Sequence, residues 1–278
     1  MPVYNGNQLA QENLFEIAKL CANAVLKAPQ ITGRSKIEMQ IVTGEDLLPI
    51  IDALFVLGRI ALFNLVSYMC WKTLYDEGRP PVLLLIGANL RKSELNWNCG
   101  ACGFRTCAEF NRYSDKVPPI PRYYMQGPTC HWKMIDYAIA CDWACASAWQ
   151  YNVTNRIEVA SGMAALAVGF LENCNIAMGL PIGPTEDLFW YNRPVFNNLV
   201  THDLFIDRYL QDFSVIFSTF PGDGRPELKS SDRWWEAPKH KKVVEADPQE
   251  FKKLKEEVFN DIEEIKKSRL QKLKELKK

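Results

Sequence analysis

Residues 98–107 read NCGACGFRTC, with three cysteines and two glycines in ten positions. The chain around that run sets the fold class. Just upstream, Val82–Ile86 (VLLLI) is a continuous apolar run of strand length behind a Gly78-Arg79-Pro80-Pro81 break, which predicts a buried strand. Downstream, Cys107–Tyr113 predicts a helix, Pro118, Pro119 and Pro121 an extended connection, and His131–Tyr151 and Asn155–Leu171 two further helices. Asn175–Leu180 (NIAMGL) then reads as another buried strand, ending in the turn-rich PIGPTED. Before the run, a helix is expected over Gln8–Lys27, with Leu14, Ile17, Ala18, Cys21 and Val25 at helical spacing and Pro29 as its stop. A strand at Glu38–Val42 and a long, mostly buried helix over Glu45–Tyr75 follow. Strands interspersed with helices predict an α+β fold.

From Pro194 the character changes. Residues 195–246 are mixed and aromatic-rich, with a helix expected at Asp203–Phe217 and a loop at PGDGRP. The last segment, 247–278, opens with DPQE, an N-cap Asp followed by Pro and Glu at the positions that start a helix well. Phe251, Leu254, Val258, Ile262 and Ile265 then form an apolar stripe amid Lys and Glu, which needs a surface to cover it. Its own domain and a partner subunit are the two surfaces that would serve. The expected organisation is a body at 1–194 containing a cysteine segment at 89–147, an extension at 195–246, and a charged amphipathic helix at 247–278.

Bulk composition narrows the function. With 47% hydrophobic and 24% charged residues the chain is in the globular range, and 33 basic against 33 acidic residues leave no net field for nucleic acid. The most apolar window, Leu54–Cys70, is 17 residues long and contains Arg59, so a buried helix is expected and not a membrane span. The first residues have neither a basic nor an apolar export region, so a cytoplasmic protein is expected. Nine cysteines in a reducing compartment point to metal or catalysis and not to disulfides. Cys21, Cys70 and Cys174 lie in apolar segments as core residues.

Cys99 and Cys102 form a C-x2-C pair able to reach one centre. Gly100 and Gly103 permit positive φ, which lets backbone N–H groups turn toward sulfur. Cys107 falls at a helix start, where the thiolate is favoured. Cys130, after the turn Gly127-Pro128 and before a helix, is the best fourth ligand. Cys141 and Cys145 share a helix face, but within an apolar pattern that reads as core. Three clustered ligands with an isolated fourth rank a [4Fe–4S] cluster above zinc, whose ribbons use two paired knuckles; zinc stays the alternative. His131 reads as a partly exposed loop residue, and Lys133 with Asp136 as a surface ion pair at i,i+3. No phosphate loop, dinucleotide fingerprint or zinc-protease motif is present.

These residues resemble a family. CGACGFRTCAEF (99–110) with GPTC (127–130) is similar to a small [4Fe–4S] domain, and the longer stretch resembles the prokaryotic ferredoxin domain-containing (DUF2148-type) family. The resemblance rests on LLLIGANLRKSELNWNCGACGF, GPTCHWKMIDYAIA, NRIEVASGMAALAVGFL and GLPIGPTEDLFWYNRP, with looser agreement at KAPQITG. It implies a nitroreductase-like sheet flanked by helices, often dimeric, with an inserted cysteine loop. It implies Cys99, Cys102, Cys107 and Cys130 as ligands of a [4Fe–4S] cluster, and Gly179, Pro181 and Gly183 beside a flavin, FMN, where one binds. Gly33-Arg34-Ser35-Lys36 departs from the Arg-Ser-x-Arg segment that would hold the flavin phosphate. The expected role is single-electron transfer with a protein partner in anaerobic metabolism, the four cysteines leaving no iron open as a Lewis acid. Trp97, Phe104 and Trp132 are expected to bury the cluster. A flavin-dependent reductase of a small molecule, or a non-catalytic subunit of a redox complex, is the alternative. Residues 195–278, outside the resemblance, are the expected contact to a redox partner or to homo- or hetero-oligomer subunits.

Overall fold

The computed structural model describes residues 3–117, 126–185, 189–192 and 248–276. Its frame is an antiparallel sheet of three strands, β1 (Ile37–Val42), β2 (Val82–Ala88) and β3 (Ile176–Ile182), with β2 in the middle. Leu85 pairs with Gln40 on one side and Gly179 on the other, which fixes the register. Every residue of β2 is buried, because helices cover both faces of the sheet. Around it run α1 (Gly6–Glu12), α2 (Leu14–Lys27), a 3-10 turn (Gly44–Leu47), α3 (Leu48–Leu57), α4 (Leu62–Asp76), α5 (Cys107–Lys116), α6 (His131–Gln150), α7 (Val159–Ala167), α8 (Phe189–Asn192) and α9 (Pro248–Leu276).

Alternation along β2 divides the core in two. Val82, Leu84, Ile86 and Ala88 meet Leu14, Ile17, Cys21 and Val25 of α2 and Tyr137, Ala140 and Ala144 of α6. Leu83 and Leu85 point the other way, into α3, α4, α7 and α9. Helix α7 lies so close on β3 that a Cβ at Gly162 would sit 2.2 Å from the Ala177 carbonyl oxygen.

The expected α+β class is present, with some boundaries moved. The first helix divides at Asn13, and only α2 contributes buried residues. Glu45–Tyr75 is not one helix: the chain turns at Gly58, whose missing side chain admits Leu65, 2.9 Å from where a Cβ would stand. In that turn Arg59 pairs with Glu257 at 2.9 Å and Asp261 at 2.7 Å. Helix α7 begins only at Val159, because Asn155 and Glu158 bridge to Ile182 and Gly179 at the free edge of β3.

The tail stripe is covered by the chain's own body. Val258 and Ile262 are buried in the core with α3 and α7, and Leu254 and Ile265 pack against it. Arg269 stacks 3.5 Å over the Phe170 ring and donates to the Val168 and Gly169 carbonyls at 3.3 and 3.1 Å, closing the end of α7. Of the two surfaces expected to cover that stripe, the chain's own body covers Val258 and Ile262 and packs against Leu254 and Ile265. Pro118, Pro119 and Pro121, the Asp203–Phe217 helix and the 195–246 extension lie outside the described residues. Among those described, no helix is long and apolar enough to cross a membrane.

Candidate metal centre

Cys107 is the first residue of α5, and the helix start is fully capped. The Thr106 hydroxyl accepts the Glu109 N–H at 3.1 Å, while the Glu109 carboxylate reaches back to the Arg105 N–H at 3.1 Å. Asn98 Oδ1 accepts the Cys107 N–H at 2.9 Å, tying the cysteine run to the helix it precedes. Cys130 is the N-cap of α6; its N–H donates to the Leu90 carbonyl at 2.9 Å and its carbonyl accepts the Met134 N–H at 3.0 Å. Both thiols thus sit at the start of a helix, where the helix dipole favours negative charge. Gly100 and Gly103 take φ of +76° and +85°, with open space where a Cβ would be, so the dihedral and not crowding calls for glycine.

Cys99, Cys102, Cys107 and Cys130 all line one small cavity, of about 10 Å³. Trp97, Phe104, Phe110 and Trp132 line it too, as does Ser93. Cys99 is exposed and Cys130 buried, so the cavity runs inward from the surface. His131 is exposed on its wall, its ring edge-on to Trp132 at 5.7 Å. The Trp132 indole N–H is buried and has no hydrogen-bond partner among the described residues. Among those residues no three His, Cys, Asp or Glu side chains form a group able to hold a single metal ion.

The electrostatics single out Cys107. Burial pushes its thiol up, but the Ser93 hydroxyl and the backbone amides of Asn98, Trp97 and Asn96 outweigh that, and the net shift is downward. Asn96 and Asn98 adopt φ of +54° and +50°, which turns consecutive amides toward the sulfur. Cys141 and Cys145 do the opposite. Burial pushes both up to about 12, neither lines the cavity, and Cys141 belongs to the α2–α6 core as expected.

Lys133 and Asp136 are not a surface ion pair. Both are buried, each with partners of its own. Lys133 Nζ donates to the Asn89 and Lys92 carbonyls at 3.1 and 2.9 Å and to Glu94 at 3.2 Å, gripping the loop that carries Ser93. Asp136 accepts from the Ile31 and Thr32 amides at 2.6 and 3.2 Å and from the Thr32 and Ser35 hydroxyls at 2.5 and 3.0 Å. Burial without those partners would strand both charges, and loops from distant sequence supply them.

Gly179, Pro181 and Gly183 are buried at the β3 end and line no part of the cysteine cavity. A Cβ at Gly179 would stand 2.2 Å from Ser161 Oγ, and one at Gly183 2.7 Å from Leu14 Cδ1. Pro181 pairs with Leu83. Sequence reasoning missed Ser93, Asn96, Asn98 and Asn111. Its only signal was the NWN triplet (96–98), since asparagine enters the left-handed region more readily than most residues.

Residues 126–193 match the family described as uncharacterized proteins containing a ferredoxin domain (DUF2148), a span that includes Cys130 and ends before the extension. The chain is also 26% identical over 189 residues to an uncharacterized protein of Archaeoglobus fulgidus, covering 68% of this chain and 96% of that one. No solved structure matches the chain, so the nitroreductase-like plan has no structural relative behind it.

Proposed function

We propose that Cys99, Cys102, Cys107 and Cys130 ligate a [4Fe–4S] cluster and that the protein passes single electrons to or from a protein partner in anaerobic metabolism. The observation that carries this reading is the single cavity lined by all four thiols. Four thiols on one cavity match a centre in which each of four irons takes one thiolate. The unpartnered Trp132 N–H fits the same group, because a cluster sulfide is an acceptor where the protein offers none. Similarity to proteins containing a ferredoxin domain adds independent support.

When bound, such a cluster takes up and gives back one electron at a time. The chain's own part is to hold four thiolates, aim N–H and O–H groups at sulfur, and exclude water with Phe104, Phe110 and Trp132. Exposed Cys99 and half-exposed Trp97 leave the mouth open to a partner's redox centre. Anaerobic purification with an absorption spectrum, metal and sulfide analysis and flavin extraction tests the reading. About four iron and four sulfide per chain are expected. Zinc without iron or sulfide would overturn it, and stoichiometric FMN would favour the small-molecule reductase.

A further inference from the structure

We propose that Ser93 tunes the centre through Cys107: its hydroxyl hydrogen-bonds that ligand sulfur, holds negative charge there, and raises the reduction potential of the cluster. The inference rests on the cluster reading above and deepens it, naming a residue that is not itself a ligand.

Ser93 is 5% exposed and stands between the two thiols that open helices. Its hydroxyl donates to Cys107 Sγ at 3.6 Å, and Cys130 Sγ donates to the same oxygen at 3.8 Å. The residue cannot drift. Asn111 accepts its N–H at 2.8 Å and donates to its carbonyl at 2.9 Å, and Lys133 holds the preceding Lys92 carbonyl at 2.9 Å.

A hydroxyl has one proton to give. Ligation deprotonates Cys130, which then ceases to be a donor to Ser93, and the serine proton stays directed at Cys107. The two sulfurs become unequal: Cys107 receives the Ser93 hydroxyl, whereas the Cys130 side chain accepts no capping N–H from α6. Reduction adds one electron, supplied by an external one-electron reductant, with no bond made or broken. Its charge spreads onto the ligand sulfurs, so a donor at Cys107 favours the reduced form.

The test uses the full chain, purified anaerobically as wild type, Ser93→Ala and Ser93→Thr, titrated against viologen mediators with the reduced state followed by electron paramagnetic resonance. Ser93→Ala is expected to lower the reduction equilibrium constant about tenfold, a shift of about 59 mV to more negative potential for a one-electron couple. Ser93→Thr, which keeps the hydroxyl, is expected to stay with wild type. An unmoved Ala variant, or a Thr variant displaced as far as Ala, overturns the inference. Should Ser93→Ala be isolated without iron, iron per chain decides in the same sense: Thr at the wild-type level supports the hydroxyl's role, and Thr as poor as Ala overturns it. A wild-type protein lacking iron and sulfide overturns the cluster reading and this inference together; a fully loaded wild type with an unmoved Ala variant overturns this inference alone.

Discussion

Removing the Asp136 carboxylate is the sharpest test of how the body is held together. Four donors end on it, two amides and two hydroxyls, all from the loop at Ile31–Ser35. Asp136→Ala leaves all four without an acceptor. Ile31 is exposed and Thr32 partly so, hence water can replace part of what is lost; Ser35 is buried and has no such recourse. Counting about 1 kcal/mol for each donor that water can reach and about 2 for the buried one gives a loss of about 5 kcal/mol. At about 2–4 °C per kcal/mol for a chain of this class, the midpoint should fall by about 10–20 °C. Asp136→Asn keeps one oxygen and puts an amide donor opposite hydroxyls that can turn to accept, so about half that loss is expected. Thermal unfolding of the metal-free protein by circular dichroism reads both. A loss below about 1 kcal/mol for Asp136→Ala, the range of an exposed ion pair, would refute the buried arrangement.

Lys133→Met should cost about 2–3 kcal/mol by stranding two loop carbonyls, whereas Glu94→Gln, on an exposed carboxylate, should cost under about 1 kcal/mol; denaturant unfolding of the two variants checks the order. Cys130→Ser is expected to abolish iron incorporation and Cys145→Ser to leave it intact, read by iron analysis and absorbance after anaerobic purification. Bleaching by Cys145→Ser alone would mean the fourth ligand is misassigned. Stability should also decline in alkali. Burial pushes the thiols of Cys21 to about 11 and of Cys141, Cys145 and Cys174 to about 12, above the ordinary 9.0. The unfolded chain then sheds protons first, so these groups stabilise the fold fully below pH 9.0 and lose that contribution progressively toward about 12. Denaturant midpoints between pH 8 and 11 should fall, and a flat profile in that range would contradict the burial of these thiols.

How much of this was legible in the sequence depends on whether chemistry or partnership identifies a residue. Cys99, Cys102, Cys107 and Cys130 stood out as candidates because thiols at such spacing have few other uses, and all four line one cavity. β2 was legible because a strand covered on both faces must be apolar throughout. Lys133 and Asp136 misled because opposite charges at i,i+3 look alike whether they meet each other or meet loops from elsewhere in the chain; only the fold brings residues 31–35 and 89–94 over α6. Ser93 was silent, and Asn96 and Asn98 offered only asparagine's readiness to enter the left-handed region, for a related reason: what they supply is one hydroxyl or the direction of a backbone amide, which residue identity encodes weakly. Taken together these partners make α6 more than a core helix. Within two turns it carries Cys130, holds the Ser93 loop through Lys133, and holds the Ile31–Ser35 loop through Asp136. The fourth thiol is therefore set on an element clamped to two distant loops, so the distance between Cys130 and the Cys99–Cys107 run depends on buried charges that touch no sulfur. Loosening Lys133 should on this argument degrade iron retention before it unfolds the body, whereas loosening Asp136 should do both at once.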